Sequence, residues 1–451
     1  NMDKAPEKKC FSDLMSNIQG DKVLWIIVIM LYIVSLLATF SSTSLAPDVV
    51  KGKATRVDIF LEHLLILGLG FVIMFICYKV KTLRIFRYFG MTCFWISLIL
   101  LVLLTARVDL GPLLKAQYIN KAWRTLSIFG FQVHVFEVVK ILMVLYLAWA
   151  VNAWTTKSFP LMNLLYRKKG WKVLNNEWFL GFVFIFLPII ICSVLILRGS
   201  VSSMLFITMI MFLTIIIGGF SLKQTSVYLL CNAMMIAGLY GLWKVTDWEW
   251  MQVFRFKTAE NRIADFFNGD KELSFDEAIE KLGRNTREGQ EYIDDHRQEI
   301  GSKIAIHEGG MIGKLPGNST QKYKVPLIFG DYMYSFIVEE YGLVGGVFIM
   351  ILFLSLLARG VMITKNCDNI FARTAVGGLT LTISGQAMMH IAINVGLLPM
   401  TGQTLPMISD GKSSLLMFCF AFGILLSISK MVKKKLESED KRICNTENSE
   451  S

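Results

Sequence analysis

Proline is scarce in this chain, nine in 451 residues, and no Pro-rich linker, internal repeat or low-complexity tract divides it, apart from a charged C-terminal tail. Cysteine offers no framework either. Of eight, Cys77, Cys93, Cys192, Cys231 and Cys419 fall in apolar runs, and Cys10, Cys367 and Cys444 in segments expected in the cytoplasm. Neither a disulfide pattern nor a metal-type spacing results. Charge is low as well: 18% of residues against 54% hydrophobic. A mean hydropathy of +0.52 excludes a soluble globular protein and reads as a polytopic membrane protein. The net charge of +11 would suit nucleic acid, but Lys and Arg collect in short loops between apolar runs, which is a topology signal, so no nucleic-acid partner is expected. The N-terminus is polar ahead of the first apolar run, and no cleavable leader is expected.

A helix needs about 20 apolar residues to cross the hydrocarbon core. Ten runs qualify, at 23–41, 58–78, 88–106, 135–153, 179–197, 201–219, 225–243, 333–358, 370–395 and 413–432. The expected fold class is therefore all-α, with ten transmembrane helices in one domain over 23–432. Tails cover 1–22 and 433–451. Lys79, Lys81, Arg84 and Arg87 crowd the second connection, Arg167, Lys168, Lys169 and Lys172 the fourth, and Lys433, Lys434 and Lys435 follow the last span. Lys51, Lys53 and Arg56 in the first connection run against that pattern. Positive-inside weighting puts both termini in the cytoplasm. The segment of about 244–332, between spans seven and eight, then lies outside as a large extracytoplasmic loop. Trp248, Trp250 and Phe254 suit an interfacial anchor there, and the stretch from Asp270 to Arg297 reads as a charged insertion.

Residues 396–430 read GLLPMTGQTLPMISDGKSSLLMFCFAFGILLSISK. Irregular Gly-, Pro-, Thr- and Ser-rich backbone between spans is tolerated only where it is buried in protein or lines a polar cavity. Residues 305–346 read AIHEGGMIGKLPGNSTQKYKVPLIFGDYMYSFIVEEYGLVGG: a Gly-rich turn, a lone Asp331, then an apolar helix. In the fourth span Glu137 and Lys140 are three apart and share a face. Charges inside a span are costly and usually face the bundle interior. A structural ion pair and a direct phosphate or metal contact are both open for this pair. The plainer reading of Asp331 is a helix N-cap, which is compatible with catalysis. Glu339 and Glu340, about two turns into span eight, are open to interhelical hydrogen bonding. Gly342 and Gly346 make a GxxxG face for close packing. His63 and His390, alone in apolar runs, read as satisfied core residues.

These segments resemble the SEDS family (shape, elongation, division and sporulation; FtsW, RodA, SpoVE), polytopic glycosyltransferases that polymerise lipid II. Gly396, Pro399, Thr401, Gly402, Leu405, Pro406, Ser409, Gly411, Ser413 and Ser414 match the last external connection. Asp410 and Lys412 depart from it, where the family has an aromatic or small residue and a second Gly. Gly309, Gly310, Gly313, Lys314, Gly317, Asn318, Ser319, Gln321, Lys322, Pro326 and Asp331 match the loop before span eight. Leu327, Phe329 and Gly330 replace the family's Glu, His and Thr ahead of Asp331. AWRTLSIFGFQVHVFEVVK at 122–140 matches a third segment at Arg124, Glu137 and Lys140, with His134, Val135 and Phe136 in place of Q-P-S. Arg198 to Ser203 stands where the family has a P-D-x-G-T element and lacks its Asp. Asn261-Arg262-Ile263 contains a weak match to a family R-I pair.

The resemblance implies a peptidoglycan glycosyltransferase with Asp331 as general base. Arg124, Glu137, Lys140, Asn318, Gln321, Lys322, Thr401, Ser409 and Ser413 are the implied substrate-binding residues. A carboxylate in a partly dehydrated cleft is a stronger base. The leaving diphosphate needs cations, from Arg, Lys or a divalent Mg or Mn. No metal ligands are assigned and no organic cofactor is expected. Lipid II and undecaprenyl-linked glycan are the implied substrates. A class B penicillin-binding protein transpeptidase (FtsI-like) and other divisome membrane proteins are the implied partners, with the charged insertion as a second contact. Gly317-Asn318-Ser319 is closer to the FtsW division branch than to the RodA elongation branch, which implies the inner membrane at the septum. A lipid II flippase, an elongation-branch polymerase and a catalytically silent scaffold are the alternatives.

Overall fold

A computed structural model describes residues 19–42, 55–119, 122–159, 176–245, 256–268, 287–323, 325, 328–409 and 411–450. Lys51, Lys53, Arg167, Lys168, Lys169, Lys172, Trp248, Trp250, Phe254 and Asp410 lie outside the described residues. So do residues 270–286 of the charged insertion and the side chains of 287–297.

Nine helices among the described residues are long and apolar enough to cross a membrane. They are α1 (Lys22–Ser42), α2 (Arg56–Lys79), α3 (Leu83–Thr105), α4 (Val135–Thr155), α5 (Glu177–Leu197), α7 (Leu222–Val245), α11 (Met333–Lys365), α12 (Ile370–Asn394) and the first part of α13 (Lys412–Glu450). The remaining expected span is α6 (Val201–Ile217), of 17 residues. At ~1.5 Å per residue it reaches ~25 Å, short of the ~30 Å core, so the ten expected spans are nine long helices and one shorter apolar helix. Between α7 and α11 run α8 (Phe256–Asn268), α9 (Arg287–Gly309) and the short α10 (Ile328–Asp331). The helix of α13 passes the expected boundary at 432 without a break.

Local chemistry sets several helix boundaries. Thr55 and Asp58 form a capping box on α2: the Thr55 hydroxyl accepts from the Asp58 amide at 3.2 Å, and the Asp58 carboxylate accepts from the Thr55 amide at 2.8 Å. Ser200 caps α6, accepting from the Ser203 amide at 3.2 Å. In α5, Pro188 cannot donate a backbone bond, and a wide π-helical turn at Phe182–Phe186 precedes it. The carbonyl of Phe184, four residues before the proline, accepts the Tyr146 hydroxyl of α4 at 2.8 Å instead.

The all-α expectation holds for the bulk of the chain and misses one element. Between α3 and α4 lies a three-stranded antiparallel sheet, β1 (Leu114–Ile119), β2 (Ala122–Ile128) and β3 (Phe131–His134), in the order β1-β2-β3. Leu126 of β2 pairs with Ala116 and Val133, and Ala116 and Leu126 are buried. The sheet escapes a span search because its strands are short and mixed in polarity.

α4 runs through the centre of the bundle, against α3, α6, α12 and α13. α11 is broken at Gly342, whose backbone sits at φ 72° and ψ −177°. The loop after α9 enters that break: the Leu343 amide donates to the Gly310 carbonyl and the Lys314 amide to the Glu339 carbonyl, both at 2.9 Å. A Cβ on Gly342 would lie 2.3 Å from the Met311 carbonyl oxygen, so only glycine fits. The expected GxxxG packing is thus a helix break gripping a loop rather than a helix–helix face.

Candidate functional site

Asp331 ends α10, and Tyr332 precedes the first turn of α11. The N-cap reading of Asp331 is therefore corrected: the cap position belongs to Tyr332, and no side-chain cap bond is made there. Asp331 is held through its backbone instead. Its carbonyl accepts Asn394 Nδ2 at 3.3 Å, and the preceding Gly330 carbonyl accepts the Ser409 hydroxyl at 2.8 Å. Ser409 Oγ in turn accepts the Leu405 amide at 2.8 Å. Ser409 thus joins the two segments that the sequence singled out separately.

The connection between α12 and α13 passes directly over the carboxylate. Gly402 has φ 64°, and a Cβ there would lie 3.6 Å from Asp331 Oδ2 and 3.5 Å from Arg124 Nη1. Arg124 comes from β2, and Arg262 comes from α8, where its Nη1 donates to the Met400 carbonyl at 3.0 Å. Burial pushes the Asp331 carboxyl above the usual carboxylate range, against the opposing pull of Arg124, Arg262 and His134. Tyr332 is buried beside this group, with no hydrogen-bond partner for its hydroxyl among the described residues. Its own ionisation is pushed up by burial and by the nearby Glu299 and Asp331.

An apolar groove opens from this polar end. A cavity of about 300 Å³ is lined by Arg124, Arg262, Ser202, Met400 and Thr401 among others. It shares Val201, Leu205, Met209, Ala259 and Ile263 with a second cavity of about 890 Å³ between α6, α7 and α8. Ser202 and Ser203, to which the sequence assigned no function, support the α12–α13 connection beside it. Ser202 Oγ donates to the Thr401 carbonyl at 3.5 Å, and Ser203 Oγ accepts Gln403 Nε2 at 3.1 Å.

The other sequence candidates separate into two groups. Glu137 and Lys140 form a buried ion pair at 2.7 Å, with Lys140 also donating to Gln386 and Glu137 accepting the Ser414 hydroxyl at 2.9 Å. Ser413 Oγ accepts the His134 amide at 3.0 Å. Both contacts tie the start of α13 to the start of α4. Asn318, Gln321 and Lys322 belong to the loop gripped by α11. Asn318 Nδ2 donates to the Lys314 carbonyl at 3.0 Å, the Gln321 amide to Glu339 at 3.2 Å, and Lys322 Nζ to the Gly317 carbonyl at 2.7 Å. Glu339 also accepts Lys314 Nζ at 2.9 Å, and Glu340 accepts the Gly317 amide at 3.1 Å and the Ser41 hydroxyl of α1 at 2.6 Å. The sequence leaves Glu339 and Glu340 open to interhelical hydrogen bonding, and of these bonds only the one from Ser41 comes from another membrane-spanning helix. Lys314, paired with Glu308, draws the Glu308 carboxyl down from 4.5 to about 2.

No three His, Cys, Asp or Glu side chains converge on one point among the described residues. The neighbours that act on Asp331 are arginines and a histidine, a donor set that does not build a divalent-cation cage. Sequence reasoning missed His134, Tyr332, Ser202, Gln386 and Asn394. The one available signal was the four-residue spacing of Gln386, His390 and Asn394 inside an apolar run.

The family model described as "Cell cycle protein" (FTSW_RODA_SPOVE) matches residues 21–434. The "Probable peptidoglycan glycosyltransferase FtsW" of Hahella chejuensis is 35% identical over 166 residues, 36% of this chain and 42% of that protein. The "Stage V sporulation protein E" of Bacillus subtilis is 37% identical over 134 residues, 30% of this chain and 37% of that protein. The "Peptidoglycan glycosyltransferase MrdB" of Escherichia coli K12 is 36% identical over 142 residues, 30% and 38%. The chain thus spans less than half the length of these curated relatives. Two solved structures share the fold. One, from work described as "Structural coordination of polymerization and crosslinking by a peptidoglycan synthase complex", has a TM-score of 0.60 at 19% identity, covering 91% of this chain and 98% of that one. The other, RodA of Thermus thermophilus, has 0.53 at 18%, covering 92% and 98%. With its apolar helices and a match running from residue 21 to 434, this chain is a multi-pass membrane protein of the FtsW/RodA/SpoVE family.

Proposed function

We propose that the protein is a peptidoglycan glycosyltransferase that joins lipid II units into glycan strands. The observation that carries this reading is the partly buried carboxylate of Asp331 beside Arg124 and Arg262, at the polar end of an apolar groove. The names of the relatives support the same activity.

In this reaction the 4-hydroxyl of the acceptor sugar attacks the anomeric carbon of the donor, and the bond from that carbon to the diphosphate breaks. Asp331 takes the hydroxyl proton, and its raised proton affinity suits that task. Arg124 and Arg262 face the negative charge that grows on the departing diphosphate. The groove between α6, α7 and α8 takes the polyprenyl chain, since its apolar lining runs on from the cavity that both arginines line. A divalent cation, if bound, would be held by the Asp331 carboxylate and would supply positive charge for the leaving diphosphate; the described residues offer no cage of their own. No step here depends on it.

In this reading Asn318, Gln321 and Lys322 serve the site by fixing the loop in the α11 break, and Glu137 and Lys140 by anchoring the starts of α4 and α13. The site end of the bundle is extracytoplasmic, both termini are cytoplasmic, and the membrane is the cytoplasmic one. A class B penicillin-binding protein is the proposed partner, in keeping with the synthase complex among the similar structures. The septal assignment rests on the Gly317-Asn318-Ser319 resemblance. A flippase finds less support, because Glu137, Lys140 and Glu340 are each engaged in local hydrogen-bonded networks rather than strung along a path.

Polymerisation of purified lipid II tests the proposal. Asp331→Asn removes the base with almost no change in volume and is expected to abolish product while the protein stays folded. As the only copy in cells, the same variant is expected to stop septation before elongation. Wild-type product from Asp331→Asn would sink the base assignment.

A further inference from the structure

α12 is apolar enough to cross a membrane, yet it carries Gln386, His390 and Asn394 at successive four-residue steps, all fully buried. That spacing sets them on one face of the helix. Buried amides and imidazoles need partners, and apart from Lys140 and the helix's own His390 carbonyl, which accepts Asn394 Nδ2 at 2.9 Å, the partners here lie in the segments around Asp331 and Gly402. Gln386 Nε2 donates to the Thr404 carbonyl at 2.8 Å, while its Oε1 accepts from Lys140. His390 Nε2 accepts the Tyr334 amide at 3.3 Å, so that nitrogen carries no proton. The proton is then on Nδ1, which donates to the Gln403 carbonyl at 2.7 Å. Asn394 Nδ2 donates to the Asp331 carbonyl at 3.3 Å, and its Oδ1 accepts the Ser335 amide at 3.0 Å and hydroxyl at 2.8 Å.

The first two rungs hold the connection at 403–404, next to Gly402. The last two hold the junction of α10 and α11 at 331–335, which carries the base. Of the three, His390 alone binds both. It can do so only as a neutral imidazole in one tautomer, with one donor and one acceptor pointing opposite ways.

We propose that Gln386, His390 and Asn394 form a positioning ladder that sets Asp331 against the connection at Gly402 and against Arg124. The inference rests on the proposed glycosyl transfer at this site. Three side chains on one rigid helix fix two irregular segments relative to each other, and misplacement by about 1 Å is enough to cost on the order of 10²-fold in rate. None of the three needs to touch substrate.

The test compares His390→Gln, His390→Leu and Asn394→Ala with wild type in lipid bilayers, reading kcat, KM for lipid II and the pH profile per folded molecule. His390→Gln keeps an acceptor for the Tyr334 amide, whereas His390→Leu keeps neither bond. The expected result is a kcat loss of about tenfold in His390→Gln and Asn394→Ala, with a larger loss in His390→Leu. KM is expected within about twofold of wild type, and the acid limb of kcat to move, because Asp331 sits in altered surroundings. A ladder that only stabilised the fold would lower the yield of folded protein and leave kcat and the acid limb alone. If His390→Leu does not fold, the other two variants decide. Wild-type kcat and acid limb in both, with Asp331→Asn inactive, would overturn the ladder and leave the base standing. An active Asp331→Asn would overturn the base and, with it, the ladder's role of setting that base, even where His390→Gln loses kcat.

Discussion

α4 and α7 are both apolar helices of spanning length, with mean hydropathies of 1.8 and 1.4 in their best windows, yet 83% of the first window is buried and only 17% of the second. Hydropathy therefore recruits both helices to the membrane and says nothing about where either sits. Lipid is as apolar as Leu, so no hydrophobic force draws one helix to the centre. The difference lies in buried charge, since the polar side chains that α7 buries, Gln224, Thr225, Tyr228 and Asn232, are neutral. α4 carries Glu137 and Lys140, which cannot face lipid cheaply and find each other, Gln386 and Ser414 in the interior. α7 shows Leu222, Leu229, Leu230 and Met234 outward and lines the apolar groove with Leu229 and Ile236.

The largest effect is expected from removing one charged partner from the central helix. Lys140→Ala leaves the Glu137 carboxylate buried without its cation and is expected to cost roughly 3–5 kcal/mol, enough to lose most folded protein. Thermal unfolding in detergent reads this. The double swap of Glu137→Lys with Lys140→Glu should be milder than either reversal alone, and equal loss in all three would deny the pair its structural role.

A smaller effect separates the two arginines, one entering beside α4 and the other from α8 above α7. Arg124→Gln and Arg262→Gln are each expected to slow polymerisation by about 10²-fold through lost charge stabilisation. Both should also move the acid limb of the rate in a set direction. Each arginine favours the ionised carboxylate, so its removal raises the Asp331 value further and the base is lost at a higher pH than in wild type. Arg124 is the stronger of the two influences, and its variant should shift the limb more. A limb that moves to lower pH in either variant would contradict this geometry.

The smallest effect belongs to the lipid-facing side of α7. Leu230→Ala, at a position 60% exposed, should change stability by less than about 0.5 kcal/mol in a detergent melt. A loss like that of Lys140→Ala would mean that α7 is packed against something on that face.

Much of this arrangement was legible from residue order. The ten apolar runs became helices, most within a few residues of their expected ends, with α11 and α13 running on past theirs, because about 20 uninterrupted apolar residues leave the backbone no other way to satisfy itself in lipid. Asp331, Arg124, Thr401 and Ser409 were singled out from separate motifs and do lie together. Others were placed near the site by motif and are occupied elsewhere. Asn318, Gln321 and Lys322 turn toward Glu339, Glu340 and their own loop, because a helix break at Gly342 offers unpaired backbone that this loop satisfies. The small sheet went unseen, since six- and seven-residue strands of mixed polarity carry too little periodicity to stand out beside long spans.

Composition and spacing alone determined that this is a bundle of membrane-spanning helices with one long connection and a carboxylate before its eighth apolar run, since hydropathy and turn chemistry are local properties of the chain. Only the tertiary structure decided which helix is central, that Arg262 meets Asp331 across 69 residues of chain, and that His390 joins two segments rather than resting in a core. Those outcomes depend on which buried polar groups find partners from distant parts of the chain, and in a membrane that search is settled by packing in three dimensions.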